Sequence, residues 1–419
     1  MKRKRLVTLL GSICLVLVLA ALPWWSACAP PEEAPPPPPP PEEEAPPPPP
    51  KTLQLGFLAG LTGFGSASLK VCMEGALLAQ DWINDQGGIT IDGQQYLIEL
   101  VVEDTKGTAE GTASAATKLV YDYELKFIVG TVMPYIVAAA GTVTEPAGAL
   151  RAVLYNCATP SEYGPTTPYT FVVHNASVEG SISGLTYLTE AYPEVKTIVI
   201  VIPDDGSIPY LGPIVVRNAE ERGLTVLGDI VGWPHDTVDY APIVTKALAR
   251  DPDAICMVNG WPASTGSILK AAREQGYTKP VFGCNYDPAQ DILEVAGPEA
   301  STNFFIHGLT PGDPAMTPMI NEISALAVAK YGVARPLHFL GFNGVWCMVQ
   351  AIEAAQSLDP TVVRDTWEKM ETMETVYGTG RMGGLETYGI KHTVCHPIAI
   401  HGLVDGEVKH LKWVEVYTP

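Results

Sequence analysis

The chain has 419 residues, 46 of them acidic and 26 basic, for a net charge of −20. That length exceeds a single small domain and implies two or three with ample core. So acidic a chain repels a phosphate backbone, which argues against nucleic-acid binding. Lys2, Arg3, Lys4 and Arg5 precede Cys28 and no acidic residue does, so the chain from Cys28 onward carries 24 net negative charges.

Those four cations are followed by an apolar run from Leu6 to Leu22, broken only by Thr8, Gly11 and Ser12. A basic segment before a hydrophobic one predicts an export signal over residues 1–27. The next residues, Trp25-Ser26-Ala27-Cys28, resemble a lipobox, which would make Cys28 the lipidated first residue after cleavage; Trp25 departs from the usual leucine. Cleavage after Ala29 and an uncleaved membrane anchor are the alternatives. From Ala29 to Pro50 the chain contains only Ala, Pro and Glu, including 14 of the 38 prolines. Such a segment cannot bury a core and favours polyproline II at ~3.1 Å per residue, a stiff tether of roughly 60–70 Å. An SH3-type ligand is the rival reading of the same prolines.

From Lys51 onward, apolar stretches alternate with helical ones. Leu53–Leu58 predicts a strand, Gly60–Gly65 a turn, and Leu69–Gln86 a helix stopped at Gly87-Gly88. Strands follow at Tyr96–Glu103, Phe127–Val129 and Val153–Tyr155, with helices at Gly111–Tyr123 and Ile136–Ala149. After Phe171-Val172-Val173 a second series begins. Its strands are Thr197–Ile202, Thr225–Ile230, Ala254–Val258 and Pro280–Phe282; its helices are Leu211–Arg222, Tyr240–Ala249 and Ser267–Gln275. Strands separated by helices of ten to fifteen residues imply right-handed crossovers and parallel sheets, hence an α/β protein of two doubly wound lobes. Ligands of such sheets sit beyond the carboxyl ends of the strands, so two facing lobes would share one cleft.

Several short motifs then occur in order: Gly60-Leu61-Thr62-Gly63, Gly75-Ala76, Trp82-Ile83-Asn84-Asp85-Gln86-Gly87-Gly88-Ile89, Asp104, Ile128-Val129-Gly130, Asp239-Tyr240 and Pro252-Asp253-Ala254. Their order and spacing resemble the branched-chain amino-acid-binding family of ABC-transporter solute receptors, over nearly all of Lys51–Pro419. The resemblance implies a type I periplasmic-binding fold, two lobes joined by three crossovers near Val172–Ala176, Asn303–Gly308 and Thr375–His396. It assigns residues 28–50 to the lipidated cysteine and tether, 51–174 to lobe 1, 175–305 to lobe 2, 306–375 to the return into lobe 1, and 376–419 to the last crossover and the completion of lobe 2.

The resemblance also implies a ligand site. In the family, backbone and hydroxyl donors after the third and fourth strands of lobe 1 hold a ligand carboxylate. Those loops here supply Gly130, Thr131 and Tyr135, then Asn156, Ala158 and Thr159, the last with a family-like hydroxyl. A position where the family often has a serine falls at Pro134 or Tyr135, and one that is often aromatic is Ser68. Lobe 2 offers Tyr210, Asn259, Trp261, Asn285, Tyr286 and Asp287. Where amino-acid binders commonly set an acid against the ligand ammonium, Asn285 is neutral and loses the charge-assisted bond, unless Asp287 substitutes by a two-residue shift. These departures suggest an aromatic or amide-bearing carboxylate, although loop packing is the competing role for Tyr135, Trp261 and Tyr286. His174, at the first crossover, is expected either to touch ligand or to hydrogen-bond the hinge.

Other chemistry has little support. No G-x-S-x-G elbow, Walker loop or H-E-x-x-H is present. Gly378–Gly383 spells G-x-G-x-x-G without the strand and helix that a dinucleotide site needs. His392, Cys395, His396 and His401 form a metal-like group, but strand alternation puts His392 and His396 opposite Cys395, so packing is expected and no metal or cofactor is assigned. Cys72, Cys157, Cys256, Cys284, Cys347 and Cys395 allow fifteen pairings, and no spacing selects one. The resulting expectation is a monomeric, non-enzymatic, exported lipoprotein on the extracytoplasmic face, in the periplasm or at the cell surface. It would capture an amino acid, an amide or an aromatic carboxylate by lobe closure and deliver it to an ABC permease. A ligand sensor serving a signalling partner would use the same fold.

Overall fold

A computed structural model of the chain describes residues 49–419, apart from 64, 156–157, 235, 285–288 and 405–406. The expected export segment, Cys28 and nearly all of the tether lie outside these residues, as do Asn156, Asn285, Tyr286 and Asp287.

The first repeat shows why the sequence folds as it does. Strand β1 (Lys51–Ala59) leads into helix α1 (Ser66–Asp85), whose Leu69, Cys72, Ala76, Ala79 and Ile83 are buried at three- and four-residue spacings, one helical stripe. The helix stops where Gly87, with φ 98°, takes a left-handed conformation, and the Gly88 amide closes back on the Ile83 carbonyl at 2.9 Å. β2 (Ile89–Ile91) and β3 (Gln94–Asp104) then form a hairpin through Asp92-Gly93, both with positive φ, the conformation a two-residue turn demands.

Lobe 1 continues with α2 (Ala109–Thr117), β4 (Phe127–Val129), α3 (Pro134–Thr144), β5 (Leu150–Val153) and β6 (Thr170–Val172). The chain then enters lobe 2: α4 (Ser177–Ala191), β7 (Thr197–Pro203), α5 (Ile208–Glu220), β8 (Thr225–Val226), β9 (Val231–Trp233), α6 (Ala241–Leu248), β10 (Ala254–Met257), α7 (Pro262–Glu274), β11 (Val281–Gly283), α8 (Ala289–Ala296) and β12 (Phe304–His307). It returns to lobe 1 through α9 (Pro318–Tyr331), α10 (Pro336–Ala355), α11 (Pro360–Lys369), β13 (Thr372–Thr375), β14 (Gly378–Gly383), α12 (Leu385–Tyr388) and β15 (Thr393–Cys395). β16 (Ile398–Val404) and β17 (Glu407–Val414) finish lobe 2.

Sheet 1 has the order β13-β14-β15-β6-β5-β4-β1-β3-β2, and sheet 2 the order β17-β16-β12-β11-β10-β7-β8, with β9 also on β7. Both central regions are parallel and covered on both faces, which is why their strands read as continuous apolar runs. Along β7, Ile198, Ile200 and Ile202 enter the core beneath α4 and α5, whereas Val199 and Val201 enter the core beneath α6 and α7. In lobe 1, Phe57 faces α1 and α10, and its neighbour Leu58 faces α2.

The expected two-lobed α/β architecture is therefore present. It differs at the last crossover: β14 and β15 join sheet 1, because Thr393 pairs in parallel with Val172 and Met382 pairs with Val394. Only His396 and Pro397 remain between β15 in sheet 1 and β16 in sheet 2. Among the described residues, no helix is long and apolar enough to cross a membrane.

Candidate ligand cleft between the lobes

Each sheet reverses its winding direction at one place. In sheet 1 the chain builds outward from β1 through β3 on one side and through β4 on the other; in sheet 2, β8 and β10 flank β7 in the same way. The loops after β1, β4, β7 and β10 thus open at switch points, where the carboxyl ends of neighbouring strands leave a crevice. Ser68, Gly130, Thr131, Tyr210, Asn259 and Trp261 all follow these strand ends.

Asp104, at the end of β3, shapes the first loop. Its carboxylate accepts the Leu61 amide at 2.9 Å, the Thr62 hydroxyl at 2.6 Å and the Lys106 amide at 2.9 Å. Burial works to raise its pKa, but these hydrogen bonds, the Thr62 hydroxyl foremost, outweigh burial and hold the carboxyl below its ordinary value. Ser68 lies half-buried in the first turn of α1, with its amide on the Gly65 carbonyl at 3.0 Å.

In the loop after β4, Gly130 has φ 103°, and a Cβ there would stand 2.7 Å from the Leu58 carbonyl oxygen. Only glycine fits both demands. Thr131 is buried, and its carbonyl accepts the Leu154 amide at 3.1 Å. α3 starts at Pro134, so its first-turn N–H groups have no acceptor within the helix. Tyr135 turns its hydroxyl to the Gly107 carbonyl at 3.3 Å, inside lobe 1.

After β5, Ala158 packs against the core of lobe 2. Thr159 is buried, and its hydroxyl donates to Glu162 at 2.6 Å while its amide reaches the same carboxylate oxygen at 2.9 Å. The Thr159 proton assigned to ligand by resemblance is therefore directed to Glu162. Tyr155 and Ser177, which the sequence did not single out, link the lobes: the Tyr155 hydroxyl lies 3.2 Å from Ser177 Oγ, and Ser177 Oγ donates to Asn259 Oδ1.

Trp261 supplies the apolar counterpart. Its backbone amide donates to Ser264 Oγ at 2.9 Å, which fixes the start of α7. Trp261 packs against the lobe 1 cluster of Leu69, Met133 and Ile136. Tyr210 is 47% exposed on the first turn of α5.

His174 lies at the hinge: its Nδ1 is 2.9 Å from His396 Nε2, and the His396 ring stacks on Tyr377 with centroids 4.2 Å apart. Burial, then the neighbouring His396 and His307, hold the His174 pKa far below the usual imidazole range. Burial takes His396 and His307 each to about 3.

The metal-like group disperses. His392 stacks on Phe171, Cys395 contacts the Thr418 hydroxyl and His401 faces His410. Among the described residues, no three His, Cys, Asp or Glu side chains can share an ion. Cys72, Cys256, Cys284, Cys347 and Cys395 are buried free thiols; Cys284 Sγ lies 3.9 Å from Cys256 Sγ within lobe 2, and Cys157 is outside the described residues.

A family model described as periplasmic binding protein matches residues 52–406. Among solved structures, the leucine-binding protein LivK of Thermotoga maritima is 19% identical, with a TM-score of 0.69, covering 87% of this chain and 99% of that one. LivJ of Streptococcus pneumoniae, solved with isoleucine, is 23% identical with a TM-score of 0.67, covering 87% and 100%. An ABC-transporter solute-binding protein of Rhodopseudomonas palustris, solved with 3,4-dihydroxybenzoic acid, is 18% identical with a TM-score of 0.68, covering 88% and 98%. At these identities the three share the fold with this chain, and all of them are binding proteins rather than enzymes. The family match runs through both sheets and every passage between them, and the chain belongs to the periplasmic binding protein family.

Proposed function

We propose that the protein is an extracytoplasmic solute-binding lipoprotein that closes its lobes on a small carboxylate or amino-acid-like ligand and presents it to an ABC importer. The observation that carries this reading is the meeting of switch-point loops from both sheets, with Trp261 of lobe 2 seated on the Leu69, Met133 and Ile136 cluster of lobe 1. A ligand that touches both sets of loops makes its full contacts only when they are together, so it stabilises the closed state by its differential affinity.

On this reading the first-turn amides of α3 and the backbone around Gly130 and Thr131 receive the carboxylate, as helix starts favour anions. Ser68 and the loop backbone at Ala158 and Thr159 complete that side of the cleft, while the Thr159 hydroxyl stays with Glu162. Asn259, Trp261 and Tyr210 face them from lobe 2, with Asn285, Tyr286 and Asp287 as further candidates outside the described residues. The proposed ligands are amino acids, amides and aromatic carboxylates; LivJ and the R. palustris protein, of the same fold, were solved with isoleucine and dihydroxybenzoate. The family name implies an extracytoplasmic place of work, and Cys28 with its tether would hold the protein at the membrane within reach of a permease.

A thermal-shift screen over amino acids, aromatic acids, amides and polyamines tests this, because a ligand of the folded state raises the melting temperature by mass action. A carboxylate of one of the three proposed classes should raise it. If only aliphatic α-amino acids do, the role given to Asn285 is wrong; if none of these compounds does, the carboxylate reading falls.

A further inference from the structure

Past β17 the alternation of the strand continues: Val414, Val416 and Thr418 are buried, and Glu415, Tyr417 and Pro419 are exposed. An extended chain advances ~3.3 Å per residue with side chains on alternate faces, so five residues reach far enough to leave one lobe and grip the other. Val414 and Val416 are rooted in the lobe 2 core. The next three residues attach to lobe 1. The Thr418 carbonyl accepts the Gly384 amide at 2.8 Å, and the Pro419 carbonyl accepts the amides of Glu386 at 2.8 Å and Thr387 at 3.3 Å. The Arg381 guanidinium lies over the Tyr417 ring at 4.3 Å, and Cys395 Sγ is 3.1 Å from the Thr418 hydroxyl.

Glu179 ties this segment to the hinge. Its buried carboxylate, in the first turn of α4, accepts the Ala176 amide at 3.0 Å, the Thr418 hydroxyl at 2.8 Å and the Tyr388 hydroxyl of α12 at 3.0 Å. One side chain thus joins the first crossover, the carboxy-terminal segment and lobe 1. Leaving that carboxylate without its donors would be costly, which favours keeping the three together.

We propose that residues 415–419 are a hinge strap: a fourth, non-covalent connection between the lobes that limits how far the ligand-free protein opens. Wide opening separates the lobe 2 core that holds Val416 from the β14–β15 region that holds Thr418, and the strap must detach first. The inference rests on lobe closure as the working motion. Its test uses no ligand, so failure of the strap and failure of the ligand screen are separate results.

The contact at Gly383 supplies a selective variant. A Cβ at that position would stand 2.3 Å from the Thr418 carbonyl oxygen, and Gly383 is not among the glycines with positive φ. Gly383→Ala therefore displaces the strap without straining its own backbone. Spin labels on Glu110→Cys in lobe 1 and Val238→Cys in lobe 2, both exposed positions, report the interlobe distance by pulsed dipolar spectroscopy on the full chain without ligand; the unsubstituted chain serves as the labelling blank. Removal of residues 415–419 and Gly383→Ala should each shift the distance distribution to longer values and broaden it. An unchanged distribution in either folded variant overturns the proposal, and Gly383→Ala decides it alone if the truncated chain does not fold.

Discussion

His174 and His396 are 222 residues apart in the chain, yet their imidazoles meet at 2.9 Å, one in the first passage between the lobes and the other in the last. The bond ties the two passages to each other, and the Asn175 backbone amide also donates to His396 Nε2, at 3.2 Å. The hinge is thus built from neutral imidazoles packed against one another.

That construction makes stability depend on acid. Burial depresses the pKa of His174 strongly and takes those of His307 and His396 to about 3, whereas the unfolded imidazoles titrate near ~6.5. The unfolded chain therefore binds more protons below that pH. The stabilisation is complete above pH ~6.5 and is lost progressively as pH falls toward the folded values, by up to about 1.4 kcal/mol per pH unit for each imidazole. Urea unfolding between pH 7 and 5, where ordinary carboxylates stay mostly ionised, should show this decline, and His396→Gln should make it shallower. A stability independent of pH over that range would exclude the hinge imidazoles as its source.

His174→Ala removes the His174 contact of His396 across the two passages, while the Asn175 amide still donates to His396 Nε2, so the loss should be that of one hydrogen bond, about 0.5–1.5 kcal/mol. Because the bond lies on the hinge, part of that loss should appear as weaker binding of whichever compound the thermal-shift screen returns. Unchanged calorimetric affinity would remove His174 from the closing motion.

Trp261→Ala removes the ring that spans the cleft. The ring is only partly buried, so the closed state should lose about 1–2 kcal/mol, less than a core tryptophan. The spin-label pair described above should then report a more open ligand-free population, whereas Trp261→Phe should retain most of the closure. Identical distributions for the alanine variant and the parent would show that the contact contributes nothing to closing.

Gly75 and Gly341 let α1 and α10 touch backbone to backbone. A Cβ on Gly341 would lie 1.8 Å from the Cys72 carbonyl oxygen, and one on Gly75 would lie 2.0 Å from that of His338. Alanine at either position forces the helices apart and should cost at least about 1–3 kcal/mol, measured as a lower urea midpoint at constant m-value.

Arg151, on β5, is fully buried in lobe 1, with its Nη2 donating to Thr170 Oγ1 at 2.9 Å; burial lowers its pKa, and the nearby Glu145 and Glu162 work against that shift. Arg151→Met removes the donors to Thr170 Oγ1 and to the Val137 carbonyl and leaves that buried carbonyl unsatisfied, which should destabilise the protein by about 1–3 kcal/mol in the same assay. A near-neutral result would mean that water reaches this site and replaces those donors.

Parts of the candidate site were legible in the sequence. The strand ends that carry Thr131, Asn259 and Trp261 followed from the alternation of apolar and helical segments, and the family resemblance singled out those residues, with Gly130, as ligand candidates. Thr159-Pro160-Ser161-Glu162 carries the S/T-x-x-E signature of a capping hydroxyl, and that local bond claims the Thr159 proton. β2 was overlooked, although Asp92-Gly93 is a strong hairpin signal. Tyr155 and Ser177 gave no signal, because one hydroxyl near a strand end and one at a helix start become a pair only across the lobes.

The sequence alone determined the two wound lobes, since doubly covered parallel strands require continuous apolar runs and crossover helices require stripes at helical spacing. It also determined that strand-end loops would face a shared cleft. The tertiary structure decided the partners: His396 for His174, Leu69 and Met133 for Trp261, and Glu179 for Thr418. Each of these joins segments more than 120 residues apart or on different lobes. Local propensity acts over a few residues, whereas such pairs depend on how the separate crossovers bring two finished lobes together.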